Sequence, residues 1–286
     1  MKPFCDLHTH SLYSDGSQTP KELLREADAI GLSAIALTDH NTVDGLYEFM
    51  EEAKNYRAEA IPGVEFSCDY PHGGQIDEVH ILCLYLPKSA YSKVTAIAEE
   101  MKAEKIKSNY LLTEKLQKAG YAVSYEEAAA MTKGIPNRAH IAKVLCEKGY
   151  VTSEREAFAT ILKKGAGFYT EPPRPNAFAV IEAIRDFGGV SVLAHPFLNL
   201  DKDELPLFLR QAKASGLVGM ETRYPLFSKE ESELAVSLCR KFSLMESGGS
   251  DYHGTTKPDL SLGYGKGDLF VPVSFAHRLK ERAAEA

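Results

Sequence analysis

Thiolate chemistry is the first thing this 286-residue chain lacks: its five cysteines, Cys5, Cys68, Cys83, Cys146 and Cys239, are scattered, odd in number and never in Cys-x-x-Cys spacing. Neither a disulfide framework nor a thiolate zinc site is indicated. The cysteines are expected as small buried apolar side chains. No apolar run approaches the length that spans a bilayer, and the chain passes from Met-Lys-Pro straight into a strand-like run without a signal-peptide pattern. A cytoplasmic protein without a membrane partner is expected. An excess of positive charge is missing too, and the net charge of −7 argues against broad adhesion to duplex nucleic acid or to an anionic membrane surface.

What is present suffices for one large domain, or for one domain with an insertion, since 44% of the residues are hydrophobic and 26% charged. The charge is unevenly spread. Residues 99 to 176 hold 13 Lys or Arg against 10 Glu and no Asp, a net of +3, which leaves the remainder with 20 against 30, a net of −10. An acidic body carrying cation ligands beside a more basic segment suits an anionic substrate; a solvated helical face accounts for the same charges.

The chain is organised around Asp6-Leu7-His8-Thr9-His10, followed by Asp15 after a short polar turn. Two imidazoles at i and i+2 would leave a strand on the same side, a geometry suited to one metal ion. Thr19-Pro20-Lys21-Glu22 then opens a helix with a capping box and proline at its first position, and Gly31 closes it. Ala34 to Leu37 reads as a buried strand ending in Thr38-Asp39-His40-Asn41, and a helix is expected from Val43 to about Tyr56. In Ala60-Ile61-Pro62-Gly63-Val64-Glu65-Phe66-Ser67 a carboxylate lies inside an apolar strand, where it needs a cation. After a loop with His72, Gly73 and Gly74, the strand Glu78 to Tyr85 contains His80 near its start.

From Ser89 to about Gly149 helical periodicity takes over, and residues 99–171 are expected to form a small helical insertion ended by Glu171-Pro172-Pro173-Arg174-Pro175. Within it Asn137-Arg138-Ala139-His140 starts a helix, a place for an anion or an ordinary polar first turn. The strand and helix rhythm resumes with a helix from Ala177 and the strand Val190 to Leu193, ending in Ala194-His195-Pro196. Later come the strand Val218 to Glu221, a capped helix from Ser228, and the strand Leu244 to Ser247, which runs into Gly248-Gly249-Ser250-Asp251-Tyr252-His253.

Apolar strands alternating with helices predict a parallel sheet closed, or nearly closed, into a barrel, with function at the strand C-termini. The candidate metal ligands gather there: His8, His10, Asp15, His40, Glu65, His80, His195, Asp251 and His253, with Glu65 and His80 lying within or at the start of their runs. Six of the nine histidines belong to this set, leaving out only His72, His140 and His277. The set exceeds the needs of one ion, so two or three are expected. Nitrogen and oxygen ligation without thiolate suits Zn²⁺, Mn²⁺ or Fe²⁺ better than Mg²⁺ or Ca²⁺. Adjacent cations bind phosphate oxygens and activate a water, which points to phosphate-ester hydrolysis, with amide hydrolysis as the chemical competitor.

Asp-Leu-His-Thr-His-Ser…Asp-Gly, Thr-Asp-His-Asn, Pro-Gly-Val-Glu-Phe-Ser, Leu-Ala-His-Pro and Gly-Ser-Asp-Tyr-His resemble, in the right order, the motif regions of the polymerase and histidinol phosphatase (PHP) superfamily. The resemblance covers residues 1 to 98 and about 172 to 256. It implies an α/β fold, a distorted (β/α)₇ barrel at 1–98 and 172–286 with the helical insertion at 99–171, and a trinuclear site. The first metal would take His8, His10, Glu65 and Asp251; the second Glu65 as bridge with His80 and His195; the third Asp15, His40 and His253. Asp15, His40, Glu65, His195 and Asp251 are the residues expected to carry catalysis, and Asp39 should orient a ligand or a neighbouring water.

The Asn-Arg-x-His of the insertion is similar to the branch of stand-alone phosphoesterases, nucleotide phosphatases and 5′-3′ exoribonucleases, which commonly has Gly-Arg-Pro-His where this chain has Asn137-Arg138-Ala139-His140. The expected substrate is a nucleoside mono- or 3′,5′-bisphosphate or a short 5′-phosphorylated oligonucleotide, with Arg138, His140 and Arg174 binding it. Histidinol phosphate is the alternative substrate, and a metal-stabilised module without catalysis the alternative class.

Overall fold

The computed structural model describes residues 2–132, 136–163 and 165–285. Its first helix shows how local chemistry sets an element. In α1 (Pro20–Ile30) the Thr19 hydroxyl accepts from the Glu22 backbone, the Glu22 carboxylate accepts from the Thr19 backbone, and Gly31 ends the helix in the left-handed region at φ 78°. Leu23, Leu24 and Ala27 form its buried stripe.

The sheet has seven strands in sequence order: β1 (Cys5–Asp6), β2 (Ala34–Leu37), β3 (Glu59–His72), β4 (Gln75–Leu84), β5 (Val190–Leu193), β6 (Gly219–Arg223) and β7 (Met245–Gly248). It curls into a nearly closed barrel flanked by helices, and no ladder joins β7 to β1 among the described residues. The seam is drawn together instead by single backbone bonds, Leu7 N to Gly248 O at 3.2 Å and His10 N to Tyr252 O at 2.9 Å.

The barrel departs from the parallel sheet expected from the sequence. β3 runs parallel to β2 only over Glu59 to Pro62, then pairs antiparallel with β4 from Gly63 to His72, and β4 is antiparallel to β5 as well. The cause is the turn. Gly73 and Gly74 both have positive φ, 52° and 82°, which is what a two-residue hairpin turn of type I′ requires and what other residues resist. The expected loop is therefore a tight reversal. It also explains why Glu65 and His80 lie inside their runs: the hairpin carries both strands past the end of β2, where His40 bridges to Glu65.

Of the remaining elements, α2 (Asp44–Glu52) is shorter than the expected helix to Tyr56, because Ala53–Asn55 tighten into a 3₁₀ turn. α3 (Tyr91–Lys118), α4 (Tyr125–Ala129), α5 (Arg138–Glu147) and α6 (Glu154–Ala159) supply the helical stretch, and α7 (Ala177–Phe187), α8 (Pro196–Asn199), α9 (Leu205–Ser215), α10 (Lys229–Phe242) and α11 (Val273–Ala284) follow. No described helix is long and apolar enough to cross a membrane. Contacts divide the chain into two compact units, 1–96 with 175–286, and 97–174. The first is built on alternate strand residues, Cys5 and Leu7, Ala34 and Ala36, Leu82 and Leu84, Val190 and Val192, together with Phe275, Ala276 and Leu279 of α11. The second has its own core around Leu112, Leu116, Ile141, Leu145 and Leu162.

Candidate metal centre

Glu65 is the hub of the first unit. Completely buried, it sets Oε1 at 2.8 Å from His80 Nδ1 and 3.0 Å from His195 Nε2. Oε2 lies 3.1 Å from His8 Nε2 and 3.2 Å from both His10 Nε2 and His40 Nδ1. Asp251 approaches from the other side, its Oδ1 3.3 Å from His10 Nε2 and 3.6 Å from His8 Nε2. Asp15, about half exposed, lies 3.2 Å from His253 Nε2 and 3.8 Å from His40 Nε2 and His10 Nδ1. The nine candidate ligands are thus in one place.

Four strand ends, those of β1, β2, β5 and β7, deliver candidate ligands just where the chain leaves the sheet. His8 and His10 follow β1, His40 follows β2, His195 follows β5, and Asp251 and His253 follow β7. Two of these residues hold positive φ, His195 at 26° and Asp251 at 52°. Non-glycine residues rarely adopt such conformations, and they persist where surrounding contacts over-determine them, commonly at functional sites.

Contacts behind the imidazoles decide which ring nitrogen faces inward. His8 donates from Nδ1 to Glu221 Oε1 at 3.0 Å, His195 from Nδ1 to Asn199 Oδ1 at 3.0 Å, and His253 from Nδ1 to the Asp251 carbonyl at 2.8 Å. Nε2 is left to the centre in all three. In His80 the order is reversed, with Nε2 3.3 Å from Glu78 Oε1 and Nδ1 turned to Glu65. Such partners fix the tautomer of a metal-binding histidine and raise its basicity.

The residues fit metal ions. Both ring nitrogens of His10, Nδ1 of His40 and Nε2 of His253 are buried without a hydrogen-bond partner among the described residues. Carboxylate oxygens stand 3.2 Å from three of these atoms, but not in hydrogen-bonding alignment: donors and oxygens point into shared space, as they do around a cation. Donor atoms within 4.8 Å of one another form three overlapping groups, His8-His10-Glu65, His40-Glu65-His80 and His10-Asp15-His40-His253. His10 and His40 each stand in two groups.

The electrostatics agree. Burial opposes ionisation of Glu65 and Asp251, yet the neighbouring imidazoles hold both carboxyls well below their usual range. Burial also opposes a charge on His8, His10 and His80, and the carboxylates around them reverse that effect, His80 reaching about 9 through Glu65 and Glu78. His40 goes the other way, pushed to about 4 by burial and by the imidazoles of His10 and His80 despite Glu65. The centre therefore pairs ionised carboxylates with imidazoles that gather positive charge, the role a divalent ion takes over with release of protons.

Sequence reasoning missed the residues behind the ligands. Glu221, fully buried, accepts from His8 Nδ1 with one oxygen and from the His195 backbone at 2.6 Å with the other. Asp6 accepts from Ser250 N, Gly263 N and His8 N at 2.9, 2.8 and 3.3 Å, tying the start of the site to its end. Asp39, expected to orient a ligand or a water, instead holds Ser11 and Ser14 through bonds of 2.6 to 2.7 Å and so shapes the loop that carries Asp15. His72, read as part of a loop, ends β3 and pairs with Asp77 at 2.8 Å.

Glu221→Gln is expected to weaken Mn²⁺ binding by about 10–100-fold. An amide accepts with one oxygen only, so its NH₂ must face either the His8 Nδ1 hydrogen or the His195 N–H. Metal retained after dialysis measures the change, and wild-type retention would show that His8 and His195 keep their places unaided.

In the second unit Arg138 lines a cavity of about 330 Å³ with Lys105, Ser108, Asn109, Phe158 and Tyr169. Its guanidinium lies 4.0 Å from the Tyr169 ring centroid, a cation–π contact. The other two expected substrate-binding residues are placed differently. His140 completes the capping box of α5, its Nδ1 accepting from the Asn137 backbone at 3.1 Å. Arg174 donates to Glu171 Oε1 at 3.1 Å, and neither residue is among those lining the cavity.

The PHP domain model matches residues 6–172. A 5′-3′ exoribonuclease of Haemophilus influenzae is 33% identical over 249 residues, 87% of this chain and 89% of the relative. A phosphoribosyl 1,2-cyclic phosphate 1,2-diphosphodiesterase of Eggerthella lenta is 28% identical over 87% of this chain and 94% of its own, and a 3′,5′-nucleoside bisphosphate phosphatase of Chromobacterium violaceum 26% identical over 91% and 90%. The crystal structure of a candidate metal-dependent phosphoesterase from Bifidobacterium adolescentis matches with a TM-score of 0.72 at 25% identity, over 98% of this chain and 96% of that one.

Proposed function

This chain belongs to the PHP domain family, and from that membership we propose that it is a metal-dependent phosphoesterase acting on nucleotides or short 5′-phosphorylated oligonucleotides. The observation that carries the reading is the single buried carboxylate of Glu65 facing the imidazoles of His8, His10, His40, His80 and His195 within 3.2 Å. A carboxylate so placed is suited to bridging ions. Relatives named as exoribonuclease, cyclic diphosphodiesterase and bisphosphate phosphatase support phosphate esters over amides.

We propose two or three divalent ions, Mn, Zn or Fe, since the donors are nitrogen and oxygen without thiolate. His8, His10, Glu65 and Asp251 would hold the first, Glu65, His80 and His195 the second, and Asp15, His40 and His253 the third. Bound there, the ions supply Lewis acidity toward the phosphoryl group and activation of water. The protein's own part is to keep Glu65 and Asp251 ionised, to present the inward ring nitrogens, and to leave Asp15 at the rim where substrate enters. We propose a cytoplasmic setting, in keeping with scattered cysteines that never stand in Cys-x-x-Cys spacing.

Residues 99–171 are proposed to be an insertion that selects the substrate, because ions alone hydrolyse almost any accessible phosphate ester and discrimination needs other groups. Arg138 is the group we assign to this, supported by the cavity it lines. Hydrolysis of an aryl phosphate should be stimulated by Mn²⁺ and abolished by chelation. Arg138→Ala should raise KM about tenfold or more for nucleoside mono- and bisphosphates or short 5′-phosphorylated RNA, as expected for loss of a charged hydrogen bond, and leave the aryl phosphate nearly unchanged. No turnover by the Mn²⁺-loaded protein of any of these or of histidinol phosphate would refute the phosphoesterase reading; proportional losses on both substrate types would remove Arg138 from specificity.

A further inference from the structure

The two oxygens of Asp251 serve different neighbours. Oδ1 faces the imidazoles of His10, His253 and His8 at 3.3, 3.4 and 3.6 Å. Oδ2 accepts from the Tyr224 hydroxyl at 2.8 Å and from Lys257 Nζ at 2.7 Å. The donors are unlike. Tyr224 is buried, its ring packed 5.4 Å from His195 and 5.1 Å from Phe227, so its hydroxyl is held in one direction. Lys257 comes off the short turn Gly254–Thr256 and its side chain is 40% exposed, against 5% for Asp251.

We propose that Lys257 binds the phosphoryl oxygens of the substrate, while Tyr224 is the residue that orients Asp251. This rests on the phosphoesterase reading above. Among the described residues Lys257 is the only Lys or Arg side chain in an ion pair with a candidate metal ligand. As a strut for Asp251 it would be a poor choice, because a half-exposed ammonium on a flexible stem gives little fixed geometry, and the tyrosine already supplies it. As a receiver of anions it is well placed. The chain carries a net charge of −7, buried carboxylates of the centre among its acids, and a phosphate monoester bears about −1.5 to −2 charges near neutrality. An ammonium with three donors can turn part of its hydrogen bonding from Asp251 to an arriving phosphate without leaving its anchor.

The test uses the full chain reconstituted with Mn²⁺, as wild type, Lys257→Met, Lys257→Arg and Tyr224→Phe. Bound metal is counted, inorganic phosphate is titrated calorimetrically, and kcat and KM are measured on an aryl phosphate. Lys257→Met is expected to keep the wild-type metal content, weaken inorganic phosphate about tenfold or more and raise KM to match; Lys257→Arg should recover most of both. Tyr224→Phe is expected to lose metal and keep phosphate affinity per metal-loaded site. If Lys257→Met loses metal as Tyr224→Phe does, or binds phosphate as wild type does, the proposal is overturned. A metal-loaded wild type that neither binds phosphate nor turns over the ester would overturn the phosphoesterase reading, and this inference with it.

Discussion

Glu65→Gln is expected to lower kcat by about a hundredfold or more, in the range that removal of a charge-stabilising group produces at such sites, and to deplete bound metal. The replacement is nearly isosteric, so packing is preserved and charge alone is lost. Two carboxylate oxygens now serve five imidazoles; an amide would set its NH₂ against one group of them and offer one weak acceptor to the other. His8 and His80 also owe their tendency to carry charge against burial first to Glu65, and His10 owes its own to Asp251 and then Glu65. His277→Ala is the comparison, because that residue lies exposed on α11 and its loss should leave kcat unchanged. Elemental analysis and steady-state kinetics on both variants check the expectation; equal losses in the two would show that the ligand set is wrong.

Gly249→Ala should damage the site without touching a ligand. A β-carbon there would meet His8 Cβ at 2.4 Å, His8 N at 2.5 Å and Asp6 Oδ1 at 2.9 Å. Two of these atoms belong to the backbone or its root, so no rotamer change relieves the contact, and β1 must move away from the loop after β7. Overpacking of this kind costs about 1–3 kcal/mol, and in a domain of this size each kcal/mol lowers Tm by roughly 2–4 °C. Metal retention should fall with it, because His8 is carried along. A melt and a metal count that both match wild type would mean that the seam gives way freely at this point.

The sequence carried these features unevenly. Helix starts were legible because capping is local: Thr19 with Glu22, Ser228 with Glu231 and Asn137 with His140 each close a box within four residues. The clustering of the candidate ligands was legible because strand ends punctuate the chain with His and Asp. The direction of β4 was not, since a pair of glycines reads as a loop until both φ values are known to be positive. Glu221 offered the same signal as Glu65, a carboxylate in an apolar strand, and could have been found by the same argument. Lys257 offered none, because nothing in its neighbours says that a turn folds it back onto Asp251.

The open seam between β1 and β7 has one more implication. Its two sides, near residues 8 and 251, lie far apart along the chain, and a large part of the protein forms the loop between them. Closing so long a loop is entropically unfavourable, and the unfavourable term grows only slowly with length. Whatever binds His8 and Asp251 at once is then a removable crosslink between distant parts of the polymer. A ligand of the folded state stabilises it by mass action, so an ion bound by this cluster would also act as a clasp of the barrel, adding to the bonds that already dock the first strand.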